Sequence, residues 1–135
     1  MKRGKISKET RVAVHGKYGG RCAYCGKEIS VRDMQVDHIT AYGKSIYGSN
    51  PEEVSGMIVD GSIDDIGNLM PSCRACNFYK GINTIEEFRE RILNTLSHTC
   101  ISSFQTRLAM QYGMVEYHTW DGIFYFEKVS DLKDI

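Results

Sequence analysis

Two Cys-x-x-Cys pairs, Cys22 with Cys25 and Cys73 with Cys76, constrain this chain more than any other feature. Cysteines three apart, in a tight knuckle or on the first turn of a helix, turn both sulfurs to one side. Four soft thiolates from two such pairs suit tetrahedral zinc, which closes its shell and leaves no open catalytic position. The excursion between the pairs is long, but loop entropy grows only slowly with length. Any fold must therefore bring two distant segments to one metal. At 135 residues the chain suits one domain with a modest core, near the size where a structural metal helps. No apolar run approaches the roughly 20 residues of a membrane span, and Met1-Lys2-Arg3-Gly4 lacks a signal-peptide hydrophobic segment. The expectation is a soluble cytoplasmic protein without a membrane partner, where reduced thiols favour metal over disulfides. The fifth cysteine, Cys100, reads as a buried free thiol.

Net charge is zero, but its distribution is uneven. Residues 1–32 carry nine Lys or Arg against Glu9 and Glu28, a net of +7. Residues 33–70 carry Lys44 against seven acids, a net of −6. A basic leading third can attract phosphate, while an acidic middle can hold cations or face away from a polyanion. A solvated basic tail is the plain alternative. Arg21 and Lys27 beside the first knuckle, and Arg74 and Lys80 beside the second, are the candidate phosphate contacts. His15, His98 and His118 have no partner at metal spacing and read as ordinary surface or core residues.

Taken in order, Ser7 caps a helix over about 8–18, which Gly19-Gly20 ends. Met34 and Val36 alternate with Gln35 and Asp37, which suits a short strand ending at Asp37-His38. Residues 41–67 dissolve into Gly, Ser, Asn and acids and read as a long insert, with one helical turn near Asn50-Pro51. Leu69-Met70 supplies a return strand. Ser72 is the expected N-cap of a short helix that Gly81 stops. Thr84 and Glu87 form a capping box for a helix to about residue 96, with Ile85, Phe88, Ile92 and Leu96 on one face. A second helix covers about 103–112. Val115–Thr119 and Ile123–Glu127 flank Trp120-Asp121-Gly122 and read as a β-hairpin. Its aromatics could stack on bases, or pack on the two preceding helices or on a second copy of the chain, a route to a homodimer.

Asp37 and the side-chain oxygen of Asn77 are hard ligands suited to Mg²⁺ or Mn²⁺. His38 can take a proton from water near neutral pH. A base for the water and a cation for the departing oxygen are what phosphodiester hydrolysis needs. An Asp–His pair alone is a weak signal, since a satisfied structural His is commoner; its position between two cysteine knuckles strengthens it.

Cys22-Ala23-Tyr24-Cys25, then Val36-Asp37-His38-Ile39, then Asn68-Leu69-Met70-Pro71-Ser72-Cys73-Arg74-Ala75-Cys76-Asn77-Phe78-Tyr79-Lys80-Gly81 together resemble the HNH endonucleases. The closer resemblance is to their zinc-stapled subset with a ββα-metal core, and it covers roughly residues 11–83. It implies a one-metal DNA endonuclease, nicking or cutting both strands, that leaves a 5′-phosphate. His38 would be the general base, Asp37 and Asn77 would hold Mg²⁺ or Mn²⁺, and Asn68 would keep the catalytic loop in position. Two features depart from the family pattern: Asn77 stands where a His is often found, and the 41–67 insert is longer than the usual loop. A short chain of this kind points to a phage or mobile-element product in a bacterial cell.

The expected architecture is thus α+β: a small ββα-metal core over 1–83 stapled by a four-cysteine zinc site. Residues 84–135 would form a helix–helix–hairpin extension packed on the same domain. The rival reading is a zinc-ribbon module that binds DNA or protein without cutting.

Overall fold

A computed structural model of the chain describes residues 6–39 and 66–133, with side chains described as far as residue 130. The expected 41–67 insert, with its helical turn near Asn50-Pro51, lies almost wholly outside the described residues, as does the basic arm over 1–5. The chain divides into two compact units: the described residues up to Thr84 together with those from Phe124 onward, and Ile85–Ile123. The stretch expected as one extension over 84–135 is divided between them.

In the first unit, helix α1 (Lys8–Gly16) opens on Ser7, whose hydroxyl accepts the Thr10 N–H at 3.1 Å. Strands β1 (Gln35–His38) and β2 (Leu69–Ser72) pair antiparallel, with Asp37 opposite Met70 and His38 opposite Leu69. Helix α2 (Arg74–Lys80) follows β2 directly, completing a ββα unit. Ser72 stays in β2 opposite Gln35, and its hydroxyl donates to the Cys73 carbonyl. The N-cap of α2 is therefore Cys73, one residue later than expected, with its sulfur accepting the Cys76 N–H at 3.4 Å. Gly81 ends the helix at a φ of 58°, a conformation that favours glycine.

Val14 from α1, Met34 before β1 and Leu69 from β2 form a buried cluster, flanked by Ile6, Ile29 and Val36. Val12, on the same helix, is exposed. Basic side chains reinforce this packing. Arg11 donates to the carbonyls of Val31 and Met34 at 2.6 and 2.8 Å. Lys17 donates to Leu69 at 2.6 Å, and a His15 ring nitrogen lies 2.7 Å from the Ile29 carbonyl. Part of the basic leading third thus satisfies backbone rather than facing solvent.

The expected C-terminal hairpin is absent from the described residues. Phe124 begins a helix, α6 (Tyr125–Lys133), and its N–H is accepted by the Glu127 carboxylate at 2.9 Å, a capping contact across three residues. Asp121 instead closes a local turn by accepting the Ile123 N–H. The alternation in Ile123–Glu127 has another use: Phe124 and Phe126 pack against Tyr24 at ring separations of 5.4 and 6.2 Å. Backbone bonds run from Tyr125 N–H to the Tyr24 carbonyl and from Phe126 N–H to the Ala23 carbonyl. The aromatics close over the first knuckle.

The second unit runs through α3 (Ile85–Glu90), a π-helical stretch (Arg91–Leu96), α4 (Ser97–Ser102) and α5 (Phe104–Gln111). Phe88 is buried, whereas Leu96 is 40% exposed. The wider π turn rotates the later residues off the face that the sequence spacing assigned to them. The second helix expected over about 103–112 is α5, and Ser103 stands just before it as its N-cap, accepting the Thr106 N–H. Cys100, expected to be buried, is exposed. No helix among the described residues is long and apolar enough to cross a membrane.

Candidate metal centre and the β1–α2 junction

The first knuckle is shaped by two backbone bonds, from Gly26 N–H to the Cys22 carbonyl and from Cys22 N–H to the Lys27 carbonyl. Gly26, directly after Cys25, turns the chain at a φ of 81°, a conformation that favours glycine. The Ala23 N–H donates to the Pro71 carbonyl at 2.8 Å, which ties this knuckle to β2. Pro71 lacks an N–H, but its carbonyl is free to accept.

These bonds bring four sulfurs together: those of Cys22, Cys25, Cys73 and Cys76 all lie within 4.8 Å of one another. The Cys25 and Cys73 sulfurs are 3.9 Å apart, close to the roughly 3.8 Å separation that tetrahedral zinc–sulfur bonds imply. All are free thiols. The donor set fits zinc, which would be structural, with all four positions filled by protein. A hydrogen bond from the Cys76 thiol lowers the Cys22 pKa to about 4. Its partner shows the converse: that same bond to Cys22, then burial, raises Cys76. Burial pushes Cys25 up to about 11. A dication is what would allow the crowded sulfurs to ionise together.

Asp37 and His38 end β1, each only 5% exposed. Neighbouring strand residues point to opposite faces, and the face of Asp37 is filled. Its Oδ2 accepts a hydrogen bond from the Tyr24 hydroxyl and lies 3.1 Å from the Lys80 ammonium. Lys80 is fully buried and also donates to the His38 carbonyl at 3.1 Å. Burial, and then the Asp37 charge, raise the Tyr24 pKa, so the phenol keeps its proton and acts as a donor.

Lys80 is therefore corrected as a phosphate contact: its charge is engaged inside the fold. A lysine is almost never fully buried unless paired, and here Asp37 is the pair. Asp37 as a ligand for Mg²⁺ or Mn²⁺ does not fit this arrangement, because one oxygen already carries a hydroxyl and an ammonium. Asn77 sits on α2 one turn before Lys80 and is half-buried. Asn68 precedes β2, and its carbonyl accepts the Ile39 N–H at 2.9 Å. That bond places Asn68 at the same end of the hairpin as His38. Among the remaining phosphate candidates, Lys27 and Arg74 are exposed. The Arg21 guanidinium is partly used, donating to the Gly26 carbonyl at 2.9 Å and pairing with Glu28 at 3.3 Å.

The contact between Tyr24 and Asp37 is not foreseen from the sequence. The tyrosine reads as filler between two ligands, and only its hydroxyl, three positions from any charged residue, hinted at a buried partner. Phe78, 86% exposed on α2 beside Asn77, gave no signal in the sequence either. Compared with family models, curated proteins and solved structures, the chain matches none.

Proposed function

We propose that this chain hydrolyses DNA phosphodiester bonds as a zinc-stapled ββα nuclease, with His38 taking the proton from the attacking water. The observation that carries this reading is the ββα unit itself: β1 ends at His38, Asn68 leads into β2, and α2 starts at a sulfur of the four-cysteine cluster. Zinc on those cysteines would fix the first knuckle and the start of α2. Asn68 would hold the loop at the end of the hairpin, and the exposed Lys27 and Arg74 would meet phosphate. In the family resembled, Mg²⁺ or Mn²⁺ supplies charge for the departing 3′ oxygen. No step is assigned to a cation here, because the Asp37 carboxylate is already engaged.

That engagement, with the burial of His38, favours a second reading: a zinc-stapled module that binds DNA or protein without cutting. Supercoiled plasmid separates the two. Zinc-loaded protein should nick or linearise it, tested with Mg²⁺, Mn²⁺ or EDTA, and His38→Ala should slow cutting by about 10²-fold or more while sparing DNA binding. No cutting by folded protein under any of these conditions would leave the binding module.

A further inference from the structure

The acid beside the candidate base is closed on its α2 side. Lys80 leaves the last turn of α2, just before the Gly81 stop, and its ammonium lies 3.1 Å from both Asp37 Oδ2 and the His38 carbonyl. The lysine side chain has no exposed surface and that of Asp37 has 6%. The Tyr24 hydroxyl donates to the same oxygen from the first knuckle. An ammonium and a carboxylate in such surroundings hold one another, since either left alone would be a buried uncompensated charge. A divalent cation on Asp37 would sit beside a fixed positive charge where screening by water is weak.

We infer that Lys80 is the resident counter-ion of Asp37 and closes that carboxylate to divalent cations. The inference deepens the nuclease reading, on which its catalytic meaning rests. Whatever charge this chain offers a departing oxygen does not come through Asp37. Asp37 instead joins three segments: the first knuckle through Tyr24, the end of β1, and the end of α2 through Lys80.

The test uses zinc-loaded full-length protein and Mn²⁺ as the probe, with free Mn²⁺ followed by electron paramagnetic resonance. Wild type and Asp37→Asn should show Mn²⁺ affinities equal within about twofold. A loss of about tenfold or more in Asp37→Asn, with a cooperative thermal transition retained, overturns the inference. Should Asp37→Asn fail to fold, wild type alone answers. Amide resonances of residues 36–38, 69, 70 and 72 should escape selective broadening by substoichiometric Mn²⁺, and preferential broadening there overturns the assignment. Neither readout involves DNA cleavage. A nuclease whose Mn²⁺ affinity ignores Asp37 supports the inference, and an inactive protein that binds Mn²⁺ through Asp37 overturns it.

Discussion

Lys80 shows how one buried side chain can redirect a whole set of assignments. In the sequence it is a helix-terminal lysine beside Cys76 and Asn77, and solvent or phosphate is the natural partner. Its actual partner, Asp37, lies on strand β1, 43 positions earlier in the chain. Removing one member of a buried pair leaves the other uncompensated, so Lys80→Met should destabilise the zinc-loaded protein by about 3–5 kcal/mol in urea unfolding. Asp37→Asn should also destabilise it, and the double variant should lose at least about 1 kcal/mol less than the sum of the singles. Additive losses would mean that the two charges do not depend on each other. Cys73 carries a related lesson. Its sulfur serves both as N-cap and as a candidate metal ligand, a double use that the usual preference for a serine cap at Ser72 hides.

Among the elements, the first knuckle is set by one glycine. Gly26 holds a φ of 81°, and a β-carbon added there would lie 3.0 Å from the Tyr125 ring. Gly26→Ala should therefore cost about 1–3 kcal/mol of stability from backbone strain, with further loss from displacing Tyr125. A thermal midpoint equal to wild type would refute this account. The glycine requirement was legible from its place after Cys25; the ring that fills the space above it was not. Periodicity behaved similarly. Local sequence signals located α1 and α5, at whose starts Ser7 and Ser103 act as caps. Periodicity failed at Leu96, because a π stretch over Arg91–Leu96 changes the turn on which the spacing argument depends.

For the first unit as a whole, the buried aliphatic cluster is small. Val14, Met34 and Leu69 contribute about 1.5–3 kcal/mol each, whereas a structural zinc contributes on the order of 10 kcal/mol or more. Zinc on the four cysteines would therefore outweigh the cluster. Stripping zinc with a strong chelator should abolish amide protection over residues 20–39 and 69–80, read by hydrogen exchange, and adding zinc should restore it. Protection unchanged in metal-free protein would show that packing alone suffices. Cys25 and Cys76 hold their protons more tightly than a free thiol does, so zinc binding should release protons and tighten as pH rises.

The residues alone carried the candidate metal ligands, the order strand–strand–helix, the cap at Ser7 and the stop at Gly81. The cap, the stop and each Cys-x-x-Cys pair depend on groups a few positions apart, where spacing and backbone chemistry decide the outcome. Tertiary structure alone decided that Lys80 faces Asp37, that Tyr24 donates to the same carboxylate, and that Phe124 and Phe126 close over the first knuckle instead of forming a hairpin. A buried charge takes whatever partner the fold brings within about 3 Å, and an aromatic ring takes whatever apolar surface lies open to it. Neither partner is encoded by proximity along the chain.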